Sequence, residues 1–236
     1  MLVYFARMSG KVDKNIQIDS PPAEGTEVAA LRRDYQRGRL RREDLREDPV
    51  EMFRQWFDEA KAAAVIEPNA MTLATADAGG RVSVRTVLLK AYDARGFVFF
   101  TNYGSRKAAQ MAENPHAALL FPWLALERQV AISGPVEKIS TQESLAYFLS
   151  RPLGSRVGAW VSEQSKVVSS RRILEDKFRQ LMQQFAAGEV PKPDWWGGYR
   201  VRPERIEFWQ GGSNRIHDRF EYTRQGDAWA LARLQP

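Results

Sequence analysis

The 236 residues contain no cysteine. Disulfides, thiolate nucleophiles and zinc–thiolate sites are therefore excluded, and a reducing cytoplasm is the expected compartment. Histidine is almost as scarce. With only His116 and His217 available, a His-rich metal site cannot be assembled, and no metal is expected. Long apolar runs are also missing. Thr86–Leu89 and Phe97–Phe100 have strand length and fall far short of a bilayer, so no membrane association is expected. The opening stretch, Met1 to Arg7, lacks a charged segment followed by an apolar one, so no signal peptide is expected. No five consecutive Lys or Arg residues occur, although the net charge is +6. The densest basic cluster, Arg37 to Arg42, is broken by Gly38 and Leu40. Elsewhere bases stand singly or in pairs beside Ser, Thr, Tyr and Gly. That distribution suits discrete phosphate pockets on small molecules better than a nucleic-acid track.

What is present is ordinary globular composition, 44% hydrophobic and 27% charged, at a length that suits one domain or a compact pair. Residues 1–27 have Pro21-Pro22, Gly25 and no hydrophobic period, and are expected to be a mobile tail. Val28–Arg37 reads as a short basic helix or an ordered arm. Asp48-Pro49-Val50-Glu51 starts a helix, with Asp48 as cap, Pro49 in the first turn and Glu51 completing a box. Met52, Phe53, Trp56, Phe57 and Ala60 then mark one apolar face. Strands are expected at Met71–Ala76, Arg81–Ala91, Gly96–Asn102, Ala117–Trp123 and Arg128–Ile139, with a hairpin turn at Asp77–Gly80. A short helix, Ser105–Asn114, interrupts them. Ser140-Thr-Gln-Glu143 is a capping box for a helix that ends before Pro152. Ser169–Ala187 is amphipathic. Strand regions Gly198–Trp209 and Arg219–Leu234 follow, the second with a turn at Gln225–Asp227. Strands joined by short turns argue for an antiparallel sheet or barrel with flanking helices. No glycine-rich dinucleotide or P-loop motif follows any strand.

Four stretches could carry chemistry. In Thr101-Asn-Tyr-Gly-Ser-Arg-Lys107 a strand ends, Ser105 caps a helix, and Arg106 and Lys107 occupy its first turn. Cations there oppose the helix dipole unless a bound phosphate reverses the local sign; the alternative is a capped helix with solvated bases. In Arg85-Thr-Val-Leu-Leu-Lys90 the two bases differ in strand parity. Either a bulge lies between them or they serve different sites; the plain alternative is that both bases simply cover the strand ends. Tyr147 and Arg151 share one helix face, with Ser155 just beyond, as a second phosphate clamp or as a core tyrosine beside a surface ion pair. Phe208-Trp-Gln-Gly-Gly212 leads into Arg215-Ile-His217. If the backbone is extended, Arg215 and His217 point the same way over a planar ligand held against Trp209. The plain alternatives are a loop histidine and a core tryptophan.

Together these segments resemble the pyridoxamine 5′-phosphate oxidase family. The matching stretches, in the family's order, include Leu31-Arg-Arg-Asp-Tyr35, Arg85–Lys90, Phe100–Lys107, Leu120-Phe-Pro-Trp123, Glu127-Arg-Gln129, Ser150-Arg-Pro152, Gly158-Ala-Trp160, Trp196-Gly-Gly198, Phe208–Gly212 and Arg215-Ile-His-Asp-Arg-Phe220. They cover roughly residues 28 to 236, nearly the whole chain. The resemblance implies a mostly β, antiparallel, FMN-binding split β-barrel over residues 28–236, ending in a C-terminal dimerisation region. It also implies a cytoplasmic homodimer with FMN between subunits. The activity implied is oxidation of pyridoxamine 5′-phosphate or pyridoxine 5′-phosphate by O2 to pyridoxal 5′-phosphate. H2O2 is released, together with ammonia from the amine. FMN contacts are implied for Arg85, Thr86, Val87, Leu88, Leu89, Lys90, Phe100, Thr101, Arg106, Lys107, Gln129, Gln164, Ser165, Trp209 and Arg219. Substrate contacts are implied for Arg32, Arg33, Asp34, Tyr35, Lys90, Tyr147, Arg151, Ser155, Arg215, Ile216 and His217. Lys90, Tyr147, Arg151 and Ser155 would bind the phosphate, Arg32 to Tyr35 would form a lid, and Arg215 and His217 would be catalytic. Phe100 stands where the family commonly has tyrosine, and Thr86 where it has isoleucine. Two rivals remain at this stage. One is a barrel relative that binds flavin or haem without this activity; the other is a basic nucleic-acid-binding module.

Overall fold

In a computed structural model of the chain, residues 28, 31, 33–186 and 188–236 are described. The tail expected over residues 1–27, and Arg32, lie outside them. The chain divides into two compact units, Met1–Asp34 and Tyr35–Pro236. In the first, Val28, Leu31, Arg33 and Asp34 are exposed. In the second, Tyr35–Leu40 is an irregular segment rather than a continued helix.

The second unit is built on ten antiparallel strands. They are β1 (Ala70–Ala76), β2 (Val82–Leu88), β3 (Ala91–Asp93), β4 (Gly96–Asn102), β5 (His116–Trp123), β6 (Arg128–Lys138), β7 (Trp196–Val201), β8 (Arg205–Gln210), β9 (Asp218–Gln225) and β10 (Ala228–Leu234). Their pairings close a ring. β2 pairs with β1, β1 with β5, β5 with β6, β6 with β7, and β7 with β4. β4 then pairs with β3, the continuation of β2.

The long strand β6 sets the layout. One of its edges lies against β5 from Arg128 to Pro135. The other edge pairs with β8 over Arg128–Ser133 and with β7 over Val136–Lys138. The handover falls at Gly134-Pro135, where the proline supplies no ladder donor. A Cβ on Gly134 would stand 1.9 Å from the Arg202 carbonyl oxygen, so only glycine lets the returning chain come this close. Beyond the split, β8, β9 and β10 form a ribbon leaving the barrel. The expected strand Gly198–Trp209 is thus two strands, because Arg202-Pro-Glu204 crosses the split. Likewise Arg81–Ala91 breaks at Leu89-Lys90, where Leu89 N–H donates to the Asn69 carbonyl at 2.8 Å and Lys90 N–H to that of Val98 at 2.9 Å.

Helix α1 (Pro49–Ala62) starts as expected at Asp48, whose carboxylate accepts the Val50 N–H at 2.8 Å. Glu51 completes no box and pairs instead with Arg54 at 3.3 Å. The α1 face of Met52, Phe53, Trp56 and Ala60 is buried against the barrel. Phe53 lies 4.9–5.9 Å, centroid to centroid, from five aromatic rings: Phe57, Tyr92, Phe97, Phe121 and Trp123. Such offset and edge-on packing adds to the area each ring buries. Strand β1 alternates strictly, with Met71, Leu73 and Thr75 inward.

Helix α2 (Arg106–Glu113) links β4 to β5, and α3 (Thr141–Ser150) starts at the expected Ser140/Glu143 box. Helix α4 (Leu153–Val161) was not expected from the sequence; Pro152, read as a terminator, is its N-cap residue. Helix α5 (Arg171–Gln184) is amphipathic, yet none of its described residues is buried. Helices α3 and α4 with β7 enclose a small core of Phe148, Val157, Val161 and Trp196.

The aromatic packing predicts that Phe53→Ala destabilises the apoprotein by about 3–5 kcal/mol, the range for deleting a fully buried ring. The half-buried Phe57→Ala should cost less. Urea unfolding followed by fluorescence measures both, and equal costs would contradict this account of the core.

Candidate functional site

The end of β4 and the start of α2 make the first part of the site. Gly104 N–H donates to the Asn102 side chain at 2.7 Å, turning the chain into the helix. Ser105 stands at the N-cap position, but its hydroxyl makes no cap bond. Lys107 instead folds back over it, donating to Gln164 Oε1 at 2.6 Å, Thr101 Oγ1 at 3.0 Å and Ser105 Oγ at 3.4 Å. All three partners are neutral, and Lys107 is only 8% exposed. Burial, reinforced by the nearby Arg85 charge, lowers its pKa to about 8. Ser165, in the left-handed region at φ 75°, accepts the Arg106 N–H at 3.2 Å.

The break at Leu89-Lys90 resolves the parity question. Leu89 turns into the core, and Lys90 comes to the same cavity as Arg85. This cavity, of about 380 Å³, gathers Arg85, Thr86, Val87, Leu88, Lys90, Phe100, Thr101, Lys107, Tyr147, Arg151 and Gln164, and adds Trp196. Phe100 stacks on Tyr147 at 4.0 Å and on Trp196 at 5.2 Å. Arg151 lies just past the end of α3, rather than on its face, with its guanidinium 4.6 Å from the Trp196 ring centre. Its Nη1 is buried without a partner, and burial lowers its pKa. Burial also lowers that of Arg85, with Arg106 contributing.

Four cations therefore line one cavity, and no carboxylate lines it with them. Desolvated cations with only neutral partners are costly unless an anion joins them. The donor set fits phosphate groups, and the flat aromatic wall fits a ring. A neighbouring cavity of about 450 Å³ shares Gln164 and has Lys166, Lys177, Trp160 and Trp195 on its walls. That cavity also carries Glu163, so its charge is partly compensated.

A second cluster sits on the β8–β9 ribbon. Gln129, Trp209 and Arg219 are register partners in one row across β6, β8 and β9. Arg219 forms two hydrogen bonds to Glu207, at 2.8 and 3.0 Å, which raise its pKa, and a third to the Gln235 carbonyl. The His217 ring lies 4.7 Å from Trp209, tilted by 45°, and Tyr35 stands edge-on to both at 5.7 Å. His217 Nδ1 accepts the Gly212 N–H at 3.1 Å, so the neutral ring carries its proton on Nε2. The extended backbone expected for Arg215-Ile-His217 is absent. Ser213–Arg215 is a turn in which Asn214 and Arg215 both have positive φ, 54° and 64°. Such strain in non-glycine residues is held only where the surroundings demand it. Arg215 and Ile216 are exposed.

The segment Tyr35–Leu40 is tied to this cluster through Glu127. One carboxylate oxygen of Glu127 accepts the N–H groups of Gln36 and Arg37, both at 2.9 Å. Gly211 leaves room for the Tyr35 ring, since a Cβ there would lie 2.7 Å from Tyr35 Cγ.

Within one chain the two clusters line different surfaces. Ser155 is exposed and lines neither, and Arg106 borders the first cavity without lining it. Reasoning from single residues missed Trp196, Glu127, Thr75 and Gln110. For Thr75 a signal existed: it is a polar residue at an inward position of an alternating strand.

Comparison with known proteins gives a consistent outcome. A family profile described as pyridoxamine 5′-phosphate oxidase matches residues 57–185. One described as the pyridoxine 5′-phosphate oxidase C-terminal dimerisation region matches residues 196–236. A pyridoxine/pyridoxamine 5′-phosphate oxidase of Crocosphaera subtropica is 57% identical over 213 residues, covering 89% of this chain and 100% of that protein. A protein of the same name from Yersinia pestis is 55% identical over 210 residues, covering 89% and 97%. Among solved structures, PhzG from Burkholderia lata in complex with tetrahydrophenazine-1-carboxylic acid is 31% identical with a TM-score of 0.79, covering 84% of this chain and 98% of that one. An FMN binding protein from Nostoc punctiforme, described as pyridoxamine 5′-phosphate oxidase-related, has a TM-score of 0.65 at 15% identity, covering 81% and 100%; it supports the fold alone.

The lowered pKa of Lys107 gives a pH prediction. Below about 8 the group is charged and would attract an anion such as phosphate. Above that value, binding must take up a proton, so affinity falls by up to about tenfold per pH unit. Titrating the apoprotein with FMN as a phosphate-bearing probe from pH 7 to 9.5 measures this. Lys107→Met should bind more weakly with a flatter profile, whereas a flat profile in the unmodified protein would contradict the assignment.

Proposed function

Because the chain belongs to the pyridoxamine 5′-phosphate oxidase family, we propose that its two clusters are the halves of one oxidase site, completed between two subunits. The protein is an FMN-dependent enzyme that oxidises pyridoxamine or pyridoxine 5′-phosphate to pyridoxal 5′-phosphate. Residues 28–236 are taken as one oxidase domain, ending in the dimerisation region at 196–236, and the cytoplasm as its compartment. No helix of the described residues is long and apolar enough to cross a membrane.

The observation that carries this reading is the cavity lined by four cations and no acid. Arg85, Arg106 and Lys107, with Gln164 and Ser165, take the flavin phosphate. The Thr86–Lys90 segment, Phe100 and Thr101 line the flavin. Lys90, Tyr147, Arg151 and Ser155 take the substrate phosphate, and the unpartnered Arg151 Nη1 is the donor left for it. The second subunit supplies Gln129, Trp209 and Arg219 to the flavin. It also supplies Arg215, Ile216 and His217 to the pyridine ring, and the proposal extends substrate contact to Arg32, Arg33, Asp34 and Tyr35.

Bound FMN supplies the two-electron acceptor for the hydrogen leaving C4′. The protein's share is positioning and charge. Phosphate anchoring fixes the vitamer at one end, and the aromatic wall fixes the plane. With Nδ1 held by Gly212 N–H, His217 presents its Nε2–H as a donor to the ring's oxygen substituent. The Arg215 guanidinium favours loss of the proton from the C4′ amine or alcohol. The alcohol yields the aldehyde directly, while the amine yields an imine that water hydrolyses to aldehyde and ammonia. O2 is the terminal acceptor and leaves as H2O2.

The purified protein should be yellow, and its flavin bands should bleach anaerobically on adding pyridoxamine 5′-phosphate. A protein that takes up FMN but keeps its bands under this treatment is not this oxidase. Within the site, Arg215→Ala should lower kcat by about 10²-fold or more, as loss of proton-transfer assistance does. Arg151→Ala should chiefly raise KM. Steady-state kinetics on both variants tests the assignment, and the opposite pattern would refute it.

A further inference from the structure

Behind the cationic cavity lies a hydrogen-bonded network that reaches it only through Arg85. Thr75, on β1, and Ser83, on β2, are register partners. Arg85 follows Ser83 by two residues and shares its face, while Val82 and Val84 point outward and are exposed. Gln110 descends from α2, one turn after Arg106 and Lys107. Arg85 Nη1 donates to Thr75 Oγ1 at 2.6 Å and to the Leu73 carbonyl at 3.3 Å, and Nη2 donates to Gln110 Oε1 at 3.4 Å. The Thr75 hydroxyl donates in turn to Gln110 Oε1 at 2.6 Å, and Gln110 Nε2 donates to Ser83 Oγ at 3.0 Å. Each group has one consistent direction, so the Gln110 amide can stand only one way round. Thr75 is 2% exposed and Gln110 6%.

Two features make this more than a filled core. Thr75 occupies an inward position where Met71 and Leu73, its neighbours of like parity, are apolar. A buried polar residue there is costly unless it is fully bonded, and here it is. Second, the network holds a guanidinium with neutral acceptors only. A carboxylate in place of the Gln110 amide would have the same shape but would compensate the Arg85 charge. The amide fixes the direction of the guanidinium and leaves its charge for a ligand.

We propose that Thr75 and Gln110 are positioning residues for cofactor recognition. They aim Arg85 at the flavin phosphate and lock the start of α2 to β2, so that the enzyme selects the phosphorylated flavin over riboflavin. The proposal rests on the placement of the flavin phosphate at Arg85 given above. It concerns a step that Thr75 and Gln110 serve through another residue, since neither lines the cavity.

The test is fluorescence titration of apoprotein with FMN and, separately, with riboflavin. Thr75→Val, nearly the same size but without the hydroxyl, should lower FMN affinity about tenfold and leave riboflavin affinity within about twofold. Gln110→Glu should lower FMN affinity at least as much. Thr75→Ser should restore the unmodified preference, because it returns the hydroxyl. Arg85→Met serves as the reference and should lose the preference for FMN. A merely structural role would weaken both flavins together, so parallel losses overturn the proposal, as does unchanged FMN affinity in Thr75→Val and Gln110→Glu. If Arg85→Met keeps the FMN preference, the phosphate placement itself falls and the proposal with it. If Arg85→Met loses the preference while Thr75→Val and Gln110→Glu keep it, the proposal alone falls.

Discussion

Strand β6 belongs to two sheets. Up to Ser133 its free edge carries β8, and from Val136 it carries β7. The exchange is possible because Gly134 admits the Arg202 carbonyl where any side chain would block it, and because Pro135 has no N–H to leave unpaired. On the β7 side the ladder closes a barrel and backs the cavity of Arg85, Lys107 and Arg151. On the β8 side it extends into a ribbon bearing Trp209, Arg219 and His217. One backbone bend thus separates the cation-lined cavity from the Trp209/His217 cluster. Under the proposed function, that separation is why a second copy of the chain would be needed to bring the two together.

The cation-lined cavity is an electrostatic arrangement made by exclusion. Several bases elsewhere find acids: Arg200 pairs with Glu143, Arg128 with Glu59 and Arg219 with Glu207. Around the cavity the partners are Thr, Ser and Gln. Neutral oxygens orient a cation without cancelling its field, and partial burial strengthens that field. The cost of desolvation falls on the unliganded protein, and an anion in the cavity would relieve it. The buried Lys107 and the partly buried Arg85 and Arg151, whose pKa values are lowered, mark where that cost is concentrated.

The Trp209/His217 cluster is arranged by strain and restraint. Asn214 and Arg215 are held in left-handed backbone by the turn that follows two glycines. The Gly212 N–H fixes the tautomer of His217, and Glu127 ties the Tyr35–Leu40 segment beside them. The Glu127 contacts join a side chain to backbone groups about ninety residues away, which is why no local pattern disclosed them.

The sequence by itself determined the class of element almost everywhere, because strand and helix leave different hydrophobic periods and turn residues punctuate them. Met71–Ala76, the Ser140/Glu143 box and the Gln225–Asp227 turn are local, and they were legible. So were the cations at Arg85, Arg106, Lys107 and Arg151, since charge in an otherwise apolar strand or at a helix start is conspicuous. Helix α4 was not legible, because Pro152 reads equally as an end and as a beginning. The shared cavity of Arg85 and Lys90 was not legible either, because strand parity alone sends them to opposite faces. Only the tertiary structure decided that Leu89-Lys90 changes partner from β1 to β4, that Gly198–Trp209 is two strands, and that Thr75 and Gln110 stand behind Arg85. Each of these depends on which backbone lies alongside another across dozens of residues. Pairing of that kind is set by the closure of the whole barrel, and no window of neighbouring residues contains it.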